Sequence, residues 1–380
     1  MAILLWFGLA ILAAMLSYYY HAINNYLVFK HVFSHALEQR NLYLRYPLEY
    51  DDVNLYGPLF SVFIAPFAVL PDYIGSVLWV LGGAGLLFYA IMQLPLKKEY
   101  CIAIIILNAH EMMNVASWYQ SNAYIAACII LGFIFINKGK EGSALFFIMF
   151  AAFIKIYGLV GLAFFFFSDN KLKFIAYLIA WSILFFTLPL IITSFHFLLQ
   201  SYYDWYNALV QKAAKNVNTA IHNDFQDISV MGMVRRIFHS TGLNDLVIYV
   251  PAFSLFFLQY LRIADYKDLR YRLYLLCSVL LFTVIYSSSS ESPTYIIAFP
   301  AICLWYLLQE KTKAVMIYFI FAFILTTLSY SDLLTPYVRS HIVRPYSLKA
   351  LPSFITWLII CFQIYTAQFR KTDLANVIPA

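Results

Sequence analysis

The chain has 380 residues, of which 63% are hydrophobic, 19% aromatic and only 12% charged. Soluble domains carry roughly 25% charged residues, so this composition excludes a soluble enzyme and identifies an integral membrane protein. The net charge of +6 sits in short basic clusters between apolar runs, which reads as a topology signal and not as a nucleic-acid patch; no nucleic-acid partner is expected.

The first apolar run, Ile3 to Tyr20, has neither a basic n-region nor a small-residue cleavage site, and reads as a retained first helix. Residues 21–57 follow as a polar loop. In it, Leu27, Val28, Val32, Phe33, Ala36 and Leu37 recur at helical spacing, with Lys30, His31, His35, Glu38 and Gln39 opposite. That pattern predicts an amphipathic helix lying at the membrane interface. Pro47 and the "YGP" of Tyr56 to Pro58 end it and start the next helix. Pro58 to Leu70 is too short to cross, since a span needs ~20 residues. Further apolar runs are Ile74 to Leu94, Ala123 to Ile136, Phe174 to Ile192, Ala314 to Leu328 and Phe354 to Gln363. The five cysteines lie in or beside such runs, where a thiol behaves as a small hydrophobe, and imply no disulfide framework.

Six basic clusters set the orientation: Lys97 and Lys98, Lys138 and Lys140, Lys171 and Lys173, Arg262 to Arg272, Lys311 and Lys313, and Arg370 and Lys371. Placed on the cytoplasmic side, they leave the longer polar segments 21–57, 197–245 and 331–352 outside. Parity then requires 144–155 and 157–167 to be two half-length helices that enter and return. Between the first loop and Lys97 parity fails unless Pro58 to Leu70 is a shallow or re-entrant helix or the first loop is cytoplasmic; the former is preferred, since membranes tolerate such backbone where it lines a polar cavity. The fold expected is all-α: a single polytopic bundle over residues 1–380 with about 11 to 13 membrane segments and amphipathic helices in its outer loops.

The stretch "EYDDVNLYGPLF" concentrates Glu49, Asp51 and Asp52 just before a helix start, in a chain with only 19 acidic residues. A helix N-terminus favours anions through its dipole, which explains acids here without any chemistry. The alternative is a general base.

From Asn24 to Pro71 the chain reads "NNYLVFKHVFSHALEQRNLYLRYPLEYDDVNLYGPLFSVFIAPFAVLP". This resembles the first outer loop of the polyprenyl-phosphate-mannose-dependent mannosyltransferases, glycosyltransferase family eighty-seven of the GT-C superfamily. "WYQSNAYI" resembles the family's "G-Q-x-N" helix start, "AAFIKIYGLVGL" its "A-x-x-x-K-x-x-P" turn, and "DISVMGMVRRI" its "N-Q-S-x-x-G-x-x-R" segment. "SSESPTYIIAFPAICLWY" resembles a late loop and helix. The order and spacing of these segments carry the resemblance.

The resemblance implies an enzyme that moves one sugar, mannose in the family, from a polyprenyl-phosphate carrier to a glycolipid or glycan acceptor on the outer face of a bacterial cytoplasmic membrane. No cofactor and no metal are expected. An acceptor hydroxyl needs a carboxylate or histidine base, and a leaving phosphate needs cations. Many members carry an Asp just after the first helix, where Asn25 stands here. An amide cannot take that proton at neutral pH. Asp52 is therefore the first candidate base, with Asp51 and Glu49 behind it and His222 in reserve.

Candidate substrate contacts in the first loop are Asn24, Asn25, Lys30 and Tyr56. Gln120 and Asn122 serve equally as helix caps or sugar contacts. Lys155 lies between two apolar half-helices, where an ionisable group is expensive; it touches substrate or pairs with a carboxylate such as Glu111. Arg235 comes from the "N-Q-S" resemblance, Glu291 from a short outer turn. Arg339, Arg344 and Lys349 hold either the donor phosphate or lipid headgroups. A lipid-linked sugar flippase or a non-catalytic envelope-assembly protein remains open as an alternative, but transporters tend to show internal repeats and midplane polar groups, whereas here most charge lies in three outer loops.

Overall fold

The computed structural model describes residues 1–222, 225–331 and 333–366; Arg370 and Lys371 lie outside the described residues. Among the described residues every regular element is helical and none is a strand. Backbone amides in lipid must be satisfied within their own segment, so an apolar chain of this kind resolves into helices. The chain divides into two compact units, Met1–Gln93 with Met112–Lys212, and Leu94–Glu111 with Ala213–Ala380.

The first unit contains α1 (Ala2–Tyr19), α2 (Asn24–Leu37), α3 (Leu59–Ala68), α4 (Asp72–Met92), the end of α5 (Lys98–Ser117), α6 (Asn122–Asn137), α7 (Glu141–Ile154), a 3-10 segment (Ile156–Phe167), α8 (Lys171–Thr187) and most of α9 (Phe195–Thr219). The second holds the start of α5, then α10 (Val230–Ile237), α11 (Leu246–Leu258), α12 (Leu269–Ile285), α13 (Tyr295–Leu307), α14 (Lys313–Phe323), a single turn α15 (Pro336–Val338) and α16 (Ala350–Thr366). Ala2–Tyr19, Asp72–Met92, Lys98–Ser117 and Lys171–Ile191 are each long and apolar enough to cross a membrane. With the shorter apolar helices around them, they point to a multi-pass membrane protein.

Two local expectations concern short segments. Helix α3 has 10 residues, about 15 Å at 1.5 Å per residue, half of a hydrocarbon core. Residues 141–167 form a tight helical hairpin. A Cβ on Gly158 would meet the backbone of Ala151 and Ala152, and one on Gly161 would meet Ile148. These pairings run antiparallel, and Ser168 Oγ closes the open end by donating to Glu141 Oε1 at 3.0 Å. Lys155, extended at φ −146° and ψ 126°, is the tip. The chain thus turns back on itself at Lys155, as two half-length helices. Lys138, Lys140, Lys171 and Lys173 flank the opposite end of the hairpin from Lys155.

The amphipathic helix of the first loop forms, but its buried face is turned from the one expected. Tyr26, Val28, Phe29, Val32, His35 and Ala36 are buried, whereas Leu37 is exposed. His35, placed on the polar side from the sequence, is inside, where the half-buried Glu49 meets its Nε2 at 2.6 Å. Periodicity counts a histidine as polar and has no knowledge of its partner.

Candidate active site

The polar end of the first unit is built where the 49–58 stretch crosses the tip of the hairpin. Gly57 N–H donates to Ile154 O at 3.1 Å. A Cβ at Gly57 would sit 2.2 Å from Phe153 O and 3.0 Å from the Trp205 ring, so only glycine fits this crossing. Asn54, fully buried, folds the strand of loop back on itself by bonding both the N–H and the carbonyl of Tyr56. Trp205 Nε1 donates to Leu55 O at 3.0 Å from α9. The result fixes the Tyr56 ring beside Lys155, whose Nζ lies 5.8 Å from the Tyr56 centroid and 4.7 Å from that of Tyr157.

Four expected site residues meet here. Lys155 Nζ donates to Asn122 Oδ1 at 2.9 Å, and Tyr56 OH donates to Gln120 Oε1 at 3.3 Å. Asn25 Nδ2 donates to Trp118 O at 2.9 Å, which holds the turn leading into α6. Asn24 Oδ1 accepts from Asp51 N–H at 2.9 Å and so positions the acidic stretch. Asp51 and Asp52 are exposed, with Asp52 Oδ1 accepting from the next backbone amide, Val53, at 2.9 Å. Lys30 instead pairs with Asp72 at 2.5 Å.

Glu49 is engaged differently from its two neighbours. It accepts from Arg40 Nη1 at 3.1 Å and His35 Nε2 at 2.6 Å, with His31 Nδ1 at 3.4 Å. Burial works to raise its carboxyl, but the His35, Arg40 and His31 contacts together outweigh it and hold Glu49 below its ordinary value. Burial draws both imidazoles below 6.5, with Glu49 pulling the other way. Of the three acids, Asp51 and Asp52 are therefore the ones open to water.

In the second unit the remaining candidates are distributed over several contacts. Lys349 is fully buried and meets Glu111 Oε1 at 2.9 Å, Glu111 Oε2 at 3.1 Å and Ser292 Oγ at 3.0 Å. Glu111, considered from the sequence as a partner for Lys155, thus has Lys349 as its cation. Arg235 is also fully buried, bonded to Asp227 at 2.5 Å and to Asp245. Glu291 accepts from Gln226 Nε2 at 2.7 Å and its N–H donates to Thr294 Oγ1 at 3.0 Å, at the start of α13. Arg344 lies over the Phe225 ring at 4.5 Å. Arg339, one helical turn before it, is half-buried.

His222 lines a pocket of about 360 Å³ with Ile221, Arg236, His239, Pro345 and Tyr346. Arg236 was not anticipated from the sequence: it is buried, bonds the carbonyls of Asp227 and Gln226, and reaches Ser347 Oγ. Its only sequence signal was adjacency to Arg235 in "VRR". The pairing of His31 and His35 with Glu49 was likewise missed, although the two histidines stand one helical turn apart.

No curated protein and no solved structure matches the chain. A family match covers residues 54–288, which takes in Tyr56, Gln120, Asn122, Lys155, His222 and Arg235, with the acids of the 49–52 stretch just ahead of it. That match spans more than half of the 380 residues, and the chain belongs to Glycosyltransferase family 87.

Proposed function

We propose that this protein, a glycosyltransferase by family membership, is of the GT-C type and transfers one sugar, mannose, from a polyprenyl-phosphate carrier to a glycolipid or glycan acceptor on the outer face of a bacterial cytoplasmic membrane. The observation that supports this most is the meeting of Tyr56, Gln120, Asn122 and Lys155 at one polar end, in the same unit as the exposed pair Asp51 and Asp52. Amides match sugar hydroxyls, a cation suits the donor phosphate, and an acceptor hydroxyl presented at the water face needs a carboxylate it can reach.

In this reading Asp52 takes the acceptor hydroxyl proton as the oxygen attacks the anomeric carbon. The new glycosidic C–O bond forms as the bond from that carbon to the phosphate oxygen breaks. Polyprenyl phosphate leaves with the electron pair, and the sugar inverts. Asp51 stands in reserve, Asn24 sets the backbone of the acidic stretch, and Lys155 is the proposed cation for the charge that develops. Arg339 and Arg344 are the proposed phosphate-binding residues within the second unit, because Lys349 already meets a carboxylate.

The test is transfer of labelled sugar from polyprenyl phosphate in detergent-solubilised preparations of the full chain. Asp52→Asn is nearly isosteric and is expected to lower turnover by ~100-fold while donor binding persists. Turnover at the parent rate in Asp52→Asn, with loss in Glu49→Gln or His222→Ala, moves the base to those residues. Donor binding with no transfer by the parent chain to any glycolipid fraction removes the enzymatic reading altogether.

A further inference from the structure

Helix α2 presents His31 and His35 on one face, one turn apart, toward Glu49. The distances are 3.4 Å from His31 Nδ1 and 2.6 Å from His35 Nε2 to the same oxygen, Glu49 Oε2. One donor atom from each of the three side chains lies within 4.8 Å of the others. Two imidazoles and a carboxylate are the donor set that suits zinc and its neighbours, with metal–ligand bonds of ~2.0–2.2 Å. Tetrahedral geometry at those bond lengths puts ligand atoms about 3.4 Å apart. The His31 contact already has that spacing, and the His35 hydrogen bond need open by less than about 1 Å to reach it.

The surroundings complete a cup. His35 is 1% exposed, while His31 and Glu49 are 29% and 24% exposed, so the three donors run from the interior to the surface. Arg40 bonds the other oxygen, Glu49 Oε1, at 3.1 Å and so orients the carboxylate from behind. The Tyr46 ring packs 4.1 Å from that of His35, and Tyr50 lies 5.8 Å from His31.

We propose that His31, His35 and Glu49 bind a divalent transition-metal ion of the zinc type, which fastens α2 to the stretch carrying Asp51 and Asp52. The ion would replace the His35–Glu49 hydrogen bond by two shorter metal bonds and close the chain between residues that are 14 apart in sequence. This departs from the expectation of a metal-free chain and stands independently of the transfer reaction. An H-x-x-x-H spacing carries little weight until a third ligand is brought to it, and only folding does that.

The test uses the full chain in detergent, stripped with a chelator, with any affinity tag removed. Titration with Co²⁺ as an optical probe is expected to show one equivalent with the visible bands of low-coordinate cobalt, displaced by Zn²⁺ and raising the unfolding temperature. His35 is buried and its replacement risks the fold, so the informative variants are His31→Ala and Glu49→Gln, each expected to weaken binding by about 100-fold. Failure of the parent to bind one equivalent overturns the proposal, as does parent affinity in either variant.

Discussion

Lys349 and Lys155 both stand beside apolar helices, and they differ in exposure. Lys349 has no exposure and meets both oxygens of Glu111, a charge against a charge in a low-dielectric interior. Lys155 is half-exposed at the hairpin tip and is met by the Asn122 amide oxygen and two tyrosine faces. A buried pair is costly to break from one side, because the survivor stays charged without water. Lys155, half-exposed at the tip, keeps an access to water that Lys349 lacks. The same residue type is thus part of the fold in one unit and a candidate for chemistry in the other.

The comparison breaks most readily at Lys349. Lys349→Ala is expected to destabilise by about 3–5 kcal/mol in detergent unfolding, and the double change Glu111→Leu with Lys349→Met to recover most of that loss. A double variant as unstable as the single one would mean that the pair is not what matters there.

Next in size is Gly57→Ala, which drives a methyl into Phe153 O and Trp205 and is expected to cost about 1–3 kcal/mol by overpacking. Gly85→Ala is its control, since nothing lies within 4 Å of an added Cβ there. It should be neutral or stabilising by about 0.5–1 kcal/mol, as alanine is the better helix former. Equal losses from both would show that the crossing over the hairpin tip is not tight.

Lys155→Met sharpens the contrast with Lys349. Its expected stability loss is about 1.5 kcal/mol, the scale of one hydrogen bond to a charged group, while sugar transfer falls far more steeply. The smallest effect is at Asn25. Asn25→Asp removes the donor to Trp118 O and sets an ionised oxygen against a carbonyl, for about 1 kcal/mol of lost stability. In an Asp52→Asn background it is expected to leave transfer impaired; recovery of activity would make position 25 the seat of the base.

Several parts of this arrangement were legible in the chain. The extreme composition sufficed for the membrane class, because no soluble domain can hide that much apolar surface. The bracketing of Lys155 by two short apolar runs sufficed for the hairpin, since neither run can cross alone. The shortness of α3 was readable on the same ground. The order of segments was enough to point to the family.

Tertiary structure decided the partners. Glu111 and Lys349 are 238 positions apart, and no local pattern says that one will neutralise the other. The burial of His35, the donor role of Asn25 and the enclosure of Arg235 between Asp227 and Asp245 are of the same kind. Sequence fixes where a polar group is expensive, because that depends on its immediate apolar neighbours. Which distant group relieves the expense depends on distances that exist only once the helices have packed.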